Sequence, residues 1–408
     1  MSDTLQPLSS TERDVSLDIL RGFALAGVLL TFCITDVRSA PGYTKTFLDE
    51  LVDWPKWIFI ENRMYTMLII IFGIGFYVQL EKAKRKGVSF APVFLRRSIG
   101  LILIGFLHAI FLSTRDILMF YGMAGVALLA LQRLKNWQLF ALMAFLFLVL
   151  TPIIVRFQQA GFKAFSLSQA NNYADHIQHN WQFFKLYHQI YFIYIEMLFH
   201  FMLGYILARS GVFQKIKDNK KLRRKLMVVT LIASAVLIPL CYYLFPSTVY
   251  PLVSKIKTPW ILYFAVIGAR LTWQIWMMVS VTLYATILIA IYKSAKGKKW
   301  LSPLAAFGQM SLSNYLIQSL VLVPYLLVSN KYDNMPPFNG FILFVFTLAL
   351  QLIFSNWWMT RYTMGPFEWL LRSFTYWKWQ RIKNPSQKEF DDEKQLVPVS
   401  SPGFFKQL

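Results

Sequence analysis

The sequence predicts an all-α integral membrane protein, a polytopic bundle of about ten transmembrane helices with both termini in the cytoplasm. Hydrophobic residues make up 56% of the 408 and charged residues only 15%, far from the balance of a soluble domain. Apolar runs of about 20 residues, enough to cross roughly 30 Å of hydrocarbon, recur along the whole chain. The basic residues behind the net charge of +22 fall in blocks between those runs, as in cytoplasmic loops. That pattern argues for membrane lipids as partners and against nucleic acid.

The apolar runs give the organisation: a tail over 1–16, a helical bundle over 17–360, an amphipathic cytoplasmic helix over 361–383 and a disordered tail over 384–408. The N-terminal tail has no basic region ahead of the first run, so that run is not read as a cleaved signal peptide. The first run is Leu17 to Thr35, and a polar loop leads to the second at about Trp57 to Leu80, headed by Glu61, Asn62 and Arg63. The basic cluster Lys82 to Arg97 precedes the third, about Leu95 to Ser113, and a turn at Thr114 to Asp116 reverses the chain into Ile117 to Leu134. The fifth is about Trp137 to Val155, the sixth Ile190 to Ala208 and the seventh Leu226 to Phe245. Trp260 to Tyr292 is too long for one plain span and carries Arg270, which reads as an interfacial stretch followed by an eighth span from about Leu271. The ninth and tenth are about Leu304 to Val328 and Phe341 to Met359.

Charges inside these runs are the candidate functional residues, because each costs on the order of 3 kcal/mol in hydrocarbon unless it is paired or reaches the interface. Asp18 and Arg21, three apart at the start of the first helix, either pair with each other or hold an anionic ligand. His108, the only histidine in the first five spans, lies eight residues before Asp116. A histidine near neutrality suits a general base, oriented by Asp116 or Glu61. The competing reading has His108 bridging helices and Asp116 paired with Arg63 or Arg115. Glu196 and His200 share a helix face and suit either a proton relay or a polar helix contact. Ser311, Asn314 and Gln318 recur at helical spacing and turn inward, as helix glue or as a cavity wall. The three-residue spacing of His176 and His179, with His188 beyond, invites a metal, but the surrounding aromatics read as an interfacial belt, so no metal is predicted. Cys33 and Cys241 lie in apolar runs as small hydrophobes.

Six motifs in order carry a family resemblance: LDILRGFALAGVLL, IFGIGFYVQLEKAKRKG, LRRSIGLILIGFLHAIFLSTRDILMFYGMAG, HFMLGYILARSGVF, FGQMSLSNYLIQSL and GPFEWLLRSFTY. Together, over about Ser16 to Tyr376, they resemble the YeiB-like bacterial membrane proteins, domain of unknown function 418, and more distantly the transmembrane acyltransferase superfamily. The resemblance implies a multi-pass protein of the bacterial inner membrane that passes an acyl group from a cytoplasmic acyl-coenzyme A to a sugar or lipid acceptor on the far side. On that reading Arg21 and nearby basic residues are the coenzyme site, and His108 with Asp116, singled out from the residues above, is the candidate catalytic pair. Asp18, Arg63, Glu196, His200, Asn314 and Gln318 are the remaining candidate substrate contacts. In the O-acetylating branch a histidine follows the first-helix arginine by eleven residues, and here that position is Phe32, which transfers no proton. Arg115 stands where the family commonly has glycine. The alternative is a non-enzymatic transporter or small-molecule-binding protein on the same fold.

Overall fold

The computed structural model describes residues 14–34, 44–113, 116–150, 172–189, 191–244, 259–329 and 335–383. Among these the structure is helical, with one isolated antiparallel bridge between Tyr362 and Lys383. In chain order the helices are α1 (Val15–Cys33), α2 (Phe47–Pro55), α3 (Arg63–Arg85), α4 (Ala91–Phe111), α5 (Leu118–Leu131), α6 (Asn136–Phe145), α7 (Tyr173–Gln189) and α8 (Tyr191–Arg209). They continue as α9 (Val212–Asp218), α10 (Lys220–Leu244), α11 (Pro259–Tyr292), α12 (Ala295–Gln309), α13 (Ser311–Val328), α14 (Pro337–Arg361) and α15 (Pro366–Tyr376). π-helical turns join α2 towards α3 (Lys56–Ile60) and prolong α6 (Leu146–Leu150).

Seven of these helical stretches are long and apolar enough to cross a membrane, and the bent pair α8–α9 makes an eighth. Helix α5 and the stretch Asn136–Leu150 are two shorter apolar helices. Every run named from the sequence therefore carries an apolar helix, and the chain is a multi-pass membrane protein. Two boundaries differ from the sequence reading. Trp260 to Arg270 is no separate interfacial stretch; it belongs to the unbroken 34-residue α11, about 51 Å long. Arg270 does not interrupt that helix because its Nη2 lies 3.4 Å from Glu196 Oε2 on α8. The expected ninth span is broken instead, at Met310 between α12 and α13.

Close backbone crossings hold the centre of the bundle together. Helix α1 packs against α3, α12 and α14. A Cβ on Gly308 would lie 1.9 Å from the Asp18 carbonyl oxygen, and one on Gly22 would lie 2.2 Å from that of Leu304. The α3–α8 crossing works the same way, since a Cβ on Gly204 would meet Ile70 O at 2.1 Å. Hydrocarbon offers no hydrophobic drive between helices, so this close van der Waals approach replaces it. Helices α10 and α14 are the least enclosed and turn Val229, Ile232, Val236, Ile342, Phe346 and Ile353 outwards, where lipid meets them.

Helix α7 covers the far end of α4. Tyr173 Oη donates to Phe111 O at 2.8 Å, His176 Nε2 lies 2.9 Å from Leu112 O, and Asn180 Nδ2 donates to Ile110 O at 3.0 Å. His176 thus closes carbonyls that a helix C-terminus leaves open. The side chain of His188 lies outside the described residues.

Gly204→Ala should lower the melting temperature of the detergent-solubilised protein by the equivalent of about 1–3 kcal/mol, because α3 and α8 must separate. Gly268→Ala on α11, with nothing within 4 Å of its added Cβ, should leave it unchanged or raise it slightly. Equal behaviour of the two variants in a thermal-denaturation assay contradicts the crossing as the source of stability.

Candidate functional site

One end of the bundle gathers cations from segments far apart in sequence. A cavity of about 940 Å³ opens there, walled by Arg21, Lys82, Arg85, Arg97, Lys217, Lys293 and Arg372 against the acids Asp14, Asp18 and Glu368. Asp18 is fully buried and accepts from Arg21 Nη1 at 2.9 Å. That pairing leaves the guanidinium partly exposed and beside Gly75, where an added Cβ would lie 3.4 Å from Arg21 Nη2, an ordinary contact distance. Arg97 Nη1 reaches Gln79 Oε1 at 3.5 Å. Away from the charges the wall becomes apolar and aromatic, with Leu25, Leu68, Phe72, Leu101, Tyr121 and Tyr315. The buried Tyr121 hydroxyl has no hydrogen-bond partner among the described residues. The volume matches that of an organic-ligand pocket, and the wall suits a ligand with a strongly anionic head and an apolar end.

Directly behind Tyr315 lies the pair singled out from the sequence. The Tyr315 and His108 rings are 4.9 Å apart between centroids. Helix α4 ends at Phe111, and Asp116 Oδ1 lies 3.0 Å from His108 Nδ1. Asp116 Oδ2 accepts from Met119 N at 2.9 Å, which caps the first turn of α5 and fixes the carboxylate. Gly105 permits this approach, since a Cβ there would lie 2.6 Å from Asp116 Oδ2. The other ring nitrogen, Nε2, lies 2.9 Å from Ser319 Oγ on α13. Ser319 was missed in the sequence because it is 211 residues from His108, although it shares a helix face with Tyr315 and Ser311.

The break at Met310 is stabilised from α15. It leaves the first amides of α13 without intrahelical partners, and Glu368 accepts from Leu312 N at 2.7 Å and Ser313 N at 3.2 Å. Ser313 Oγ donates to Glu368 Oε2 and accepts from Phe367 N at 3.0 Å, so the two motifs SLSN and GPFE cap each other. Gly365 is required there, as its Cβ would meet Ser313 Oγ at 2.5 Å. Helix α15 is thus tied into the bundle, with Leu371 buried and Arg96 Nε donating to Thr375 O at 2.9 Å. Burial pushes the Glu368 carboxyl above its ordinary value, against the opposing pull of the Ser313 and Leu312 donors.

The remaining candidates lie elsewhere. Arg63 does not pair with Asp116: it donates to the carbonyls of Trp57 and Glu61 at 2.9 and 2.8 Å and stacks 3.8 Å from the Trp276 ring. Glu61 accordingly belongs to that turn, and Asp116 alone of the two acids faces His108. Arg115 lies outside the described residues. Glu196 and His200 are joined through a third residue: Gln274 Nε2 donates to Glu196 Oε1 at 2.7 Å, and Gln274 Oε1 lies 3.0 Å from His200 Nε2. Asn314 binds Phe307 O at 3.1 Å and Ser355 Oγ at 2.9 Å, joining α12, α13 and α14. Gln318, one helical turn on, is buried too, and neither residue borders the cavity. Phe32 packs in an apolar cluster with Leu29, Cys33 and Leu322.

Comparison with known proteins agrees with the motif pattern. Residues 207–378 match the family described as protein of unknown function (DUF418). The uncharacterized protein YxaH of Bacillus subtilis (strain 168) is 26% identical over 93% of this chain and 98% of its own length. The uncharacterized protein YeiB of Escherichia coli (strain K12) is 22% identical over 89% of this chain and 96% of its own. The chain is thus similar to the YeiB-like proteins over nearly its whole length, and to the DUF418 family over its C-terminal part. An uncharacterized 39.9 kDa protein from the amylase 3′ region of Bacillus acidopullulyticus is 23% identical over 91% of this chain and 96% of its own. No solved structure matches. The family match covers α13, α14 and α15, and so contains both halves of the Ser313–Glu368 clasp.

The raised folded value of Glu368 sets a pH test. The folded protein holds that proton more tightly than the unfolded chain, so its contribution to stability is full below the ordinary value of about 4.5 and is lost as pH rises through the raised value. Glu368→Gln cannot titrate. Its melting temperature relative to wild type should therefore climb with pH across that window and level off above it. A difference that stays flat from pH 4.5 upward contradicts the raised value.

Proposed function

We propose that the protein transfers an acyl group from a coenzyme A thioester, bound at the basic end of the bundle, to a hydroxyl-bearing sugar or lipid on the other side of a bacterial inner membrane. The observation that carries this reading is one cavity that begins among seven lysines and arginines and ends at Ile117 and Tyr315, the wall in front of the His108–Asp116 pair. Phosphates of the donor bind Arg21, Arg97 and Arg372, and the thioester end extends along the apolar wall towards Tyr121 and Tyr315. His108 accepts a proton in the transfer, with Asp116 orienting its ring through Nδ1. On this reading the donor end and both termini are cytoplasmic, which the excess of basic residues at that end supports under the positive-inside rule.

A second reading is a protein that binds or moves an anionic amphiphile without chemistry. The near-complete burial of His108 and Asp116 favours it.

In a thermal-shift series, acetyl-coenzyme A should stabilise the purified protein in a concentration- and salt-dependent manner. Arg97→Ala should weaken that binding by about tenfold or more, the size of a lost charge-assisted contact. His108→Ala should retain binding and lose transfer by roughly 10²–10⁴-fold. An unchanged melting temperature across the series contradicts donor binding, and binding without transfer to any sugar or lipid acceptor supports the second reading.

A further inference from the structure

We propose that Ser319 is the nucleophile of this transfer and carries the acyl group as a serine ester between the two substrates. The inference rests on the acyl-coenzyme A reading above and adds to it a residue and a covalent intermediate. Ser319 Oγ, His108 and Asp116 form one chain, with contacts of 2.9 Å at Nε2 and 3.0 Å at Nδ1, and all three residues are buried.

The proton positions in that chain follow from its acceptors. Asp116 Oδ2 is committed to Met119 N, and Oδ1 lies 3.0 Å from Nδ1, not aligned as a hydrogen bond but close enough for the carboxylate's charge to favour the ring proton on that nitrogen. The lone pair of Nε2 then faces Ser319. The Ser319 hydroxyl has two acceptors within reach, Nε2 at 2.9 Å and the Tyr315 carbonyl at 3.3 Å, and the shorter contact directs its proton to the histidine. With Ser319 in that place, the hydroxyl that Nε2 meets before any acyl group arrives is that of Ser319. The group that His108 activates is the Ser319 hydroxyl, the arrangement by which a histidine and a carboxylate make a serine nucleophilic.

The location fits a carrier. Ser319 lies eight residues into α13, about 12 Å along the helix from the end capped by Glu368. Tyr315, one turn nearer that end, is the wall between the cavity and His108. The proposed step requires Tyr315 to turn aside and open the basic end onto the serine, and an ester at this depth would let donor and acceptor use the site in turn.

In the first step Oγ bonds to the thioester carbonyl carbon, its proton passes to Nε2, and the carbon–sulfur bond breaks. The departing sulfur takes that proton and leaves as free coenzyme A. In the second step the acceptor hydroxyl attacks the serine ester and gives its proton to Nε2. The carbon–Oγ bond breaks, and Oγ recovers the proton. Ser319 is a catalytic residue in this scheme, and Asp116 is a positioning residue.

The test is incubation of the full-length, detergent-solubilised protein with radiolabelled acetyl-coenzyme A and no acceptor, followed by acid quench and peptide mass spectrometry. One acetyl group should appear on the peptide that contains Ser319. Ser319→Ala should keep the thermal shift with acetyl-coenzyme A, which shows that it is folded, and should lose both the label and, on the order of a thousandfold, the transfer. Ser319→Cys should hold the label as a thioester that neutral hydroxylamine releases. Transfer by Ser319→Ala at the wild-type rate, or a wild-type enzyme that turns over without ever carrying label on Ser319, overturns the covalent step and leaves the acyltransferase reading in place. Absence of both thermal shift and transfer in wild type overturns the two together.

Discussion

A backbone amide or carbonyl left unpaired in hydrocarbon costs several kcal/mol, and the bundle is arranged around meeting that requirement wherever a helix starts, stops or breaks. The break at Met310 shows how this is done. It exposes the amides of Leu312 and Ser313, which Glu368 meets from a helix remote in sequence, while the carbonyl of Phe307 accepts from Met310 N and from Asn314, seven residues on. The same device recurs at the other end, where Lys56 Nζ donates to Ile34 O at 3.2 Å beyond the end of α1, and α7 covers the last carbonyls of α4. Lys56 and Asn180 are thus polar side chains that close helix ends.

The break has a second effect, on the site. Because α13 begins anew at Ser311, its residues Leu312 and Tyr315 border the cavity while Ser319 reaches His108. The clasp from α15 that caps this start also brings Glu368 and Arg372 to the cavity wall. Charge distribution then separates the two ends of one space. Lysines and arginines crowd the opening, and the inner wall is apolar apart from the hydroxyls of Tyr121 and Tyr315, with the buried His108–Asp116–Ser319 chain behind it.

Much of the fold was legible because the signals are local. Length and hydropathy locate the apolar helices, and the Asp18–Arg21 pair follows from a three-residue spacing that the structure keeps at 2.9 Å. The histidine and aspartate of the third motif lie 3.0 Å apart, one of the two arrangements that the sequence left open for Asp116. Long-range partners left no such trace. Arg270 looked like an interruption of α11 because its partner, Glu196, lies on another helix. Gln274 between Glu196 and His200, and Glu368 opposite Ser313, were likewise invisible, since a helical repeat reports which face a residue occupies and not what that face meets.

The sequence by itself therefore determined the class of the protein, the position of nearly every apolar helix and the identity of the charged residues that hydrocarbon makes costly. Burial of apolar length in lipid is a property of each segment alone, and it can be read segment by segment. Which charges pair, where α13 breaks away from α12, and how a serine from the ninth apolar run comes within 2.9 Å of a histidine from the third were decided only by the packing of helices against one another. Those contacts depend on glycine crossings and on caps supplied across the bundle, and both arise from the whole three-dimensional arrangement.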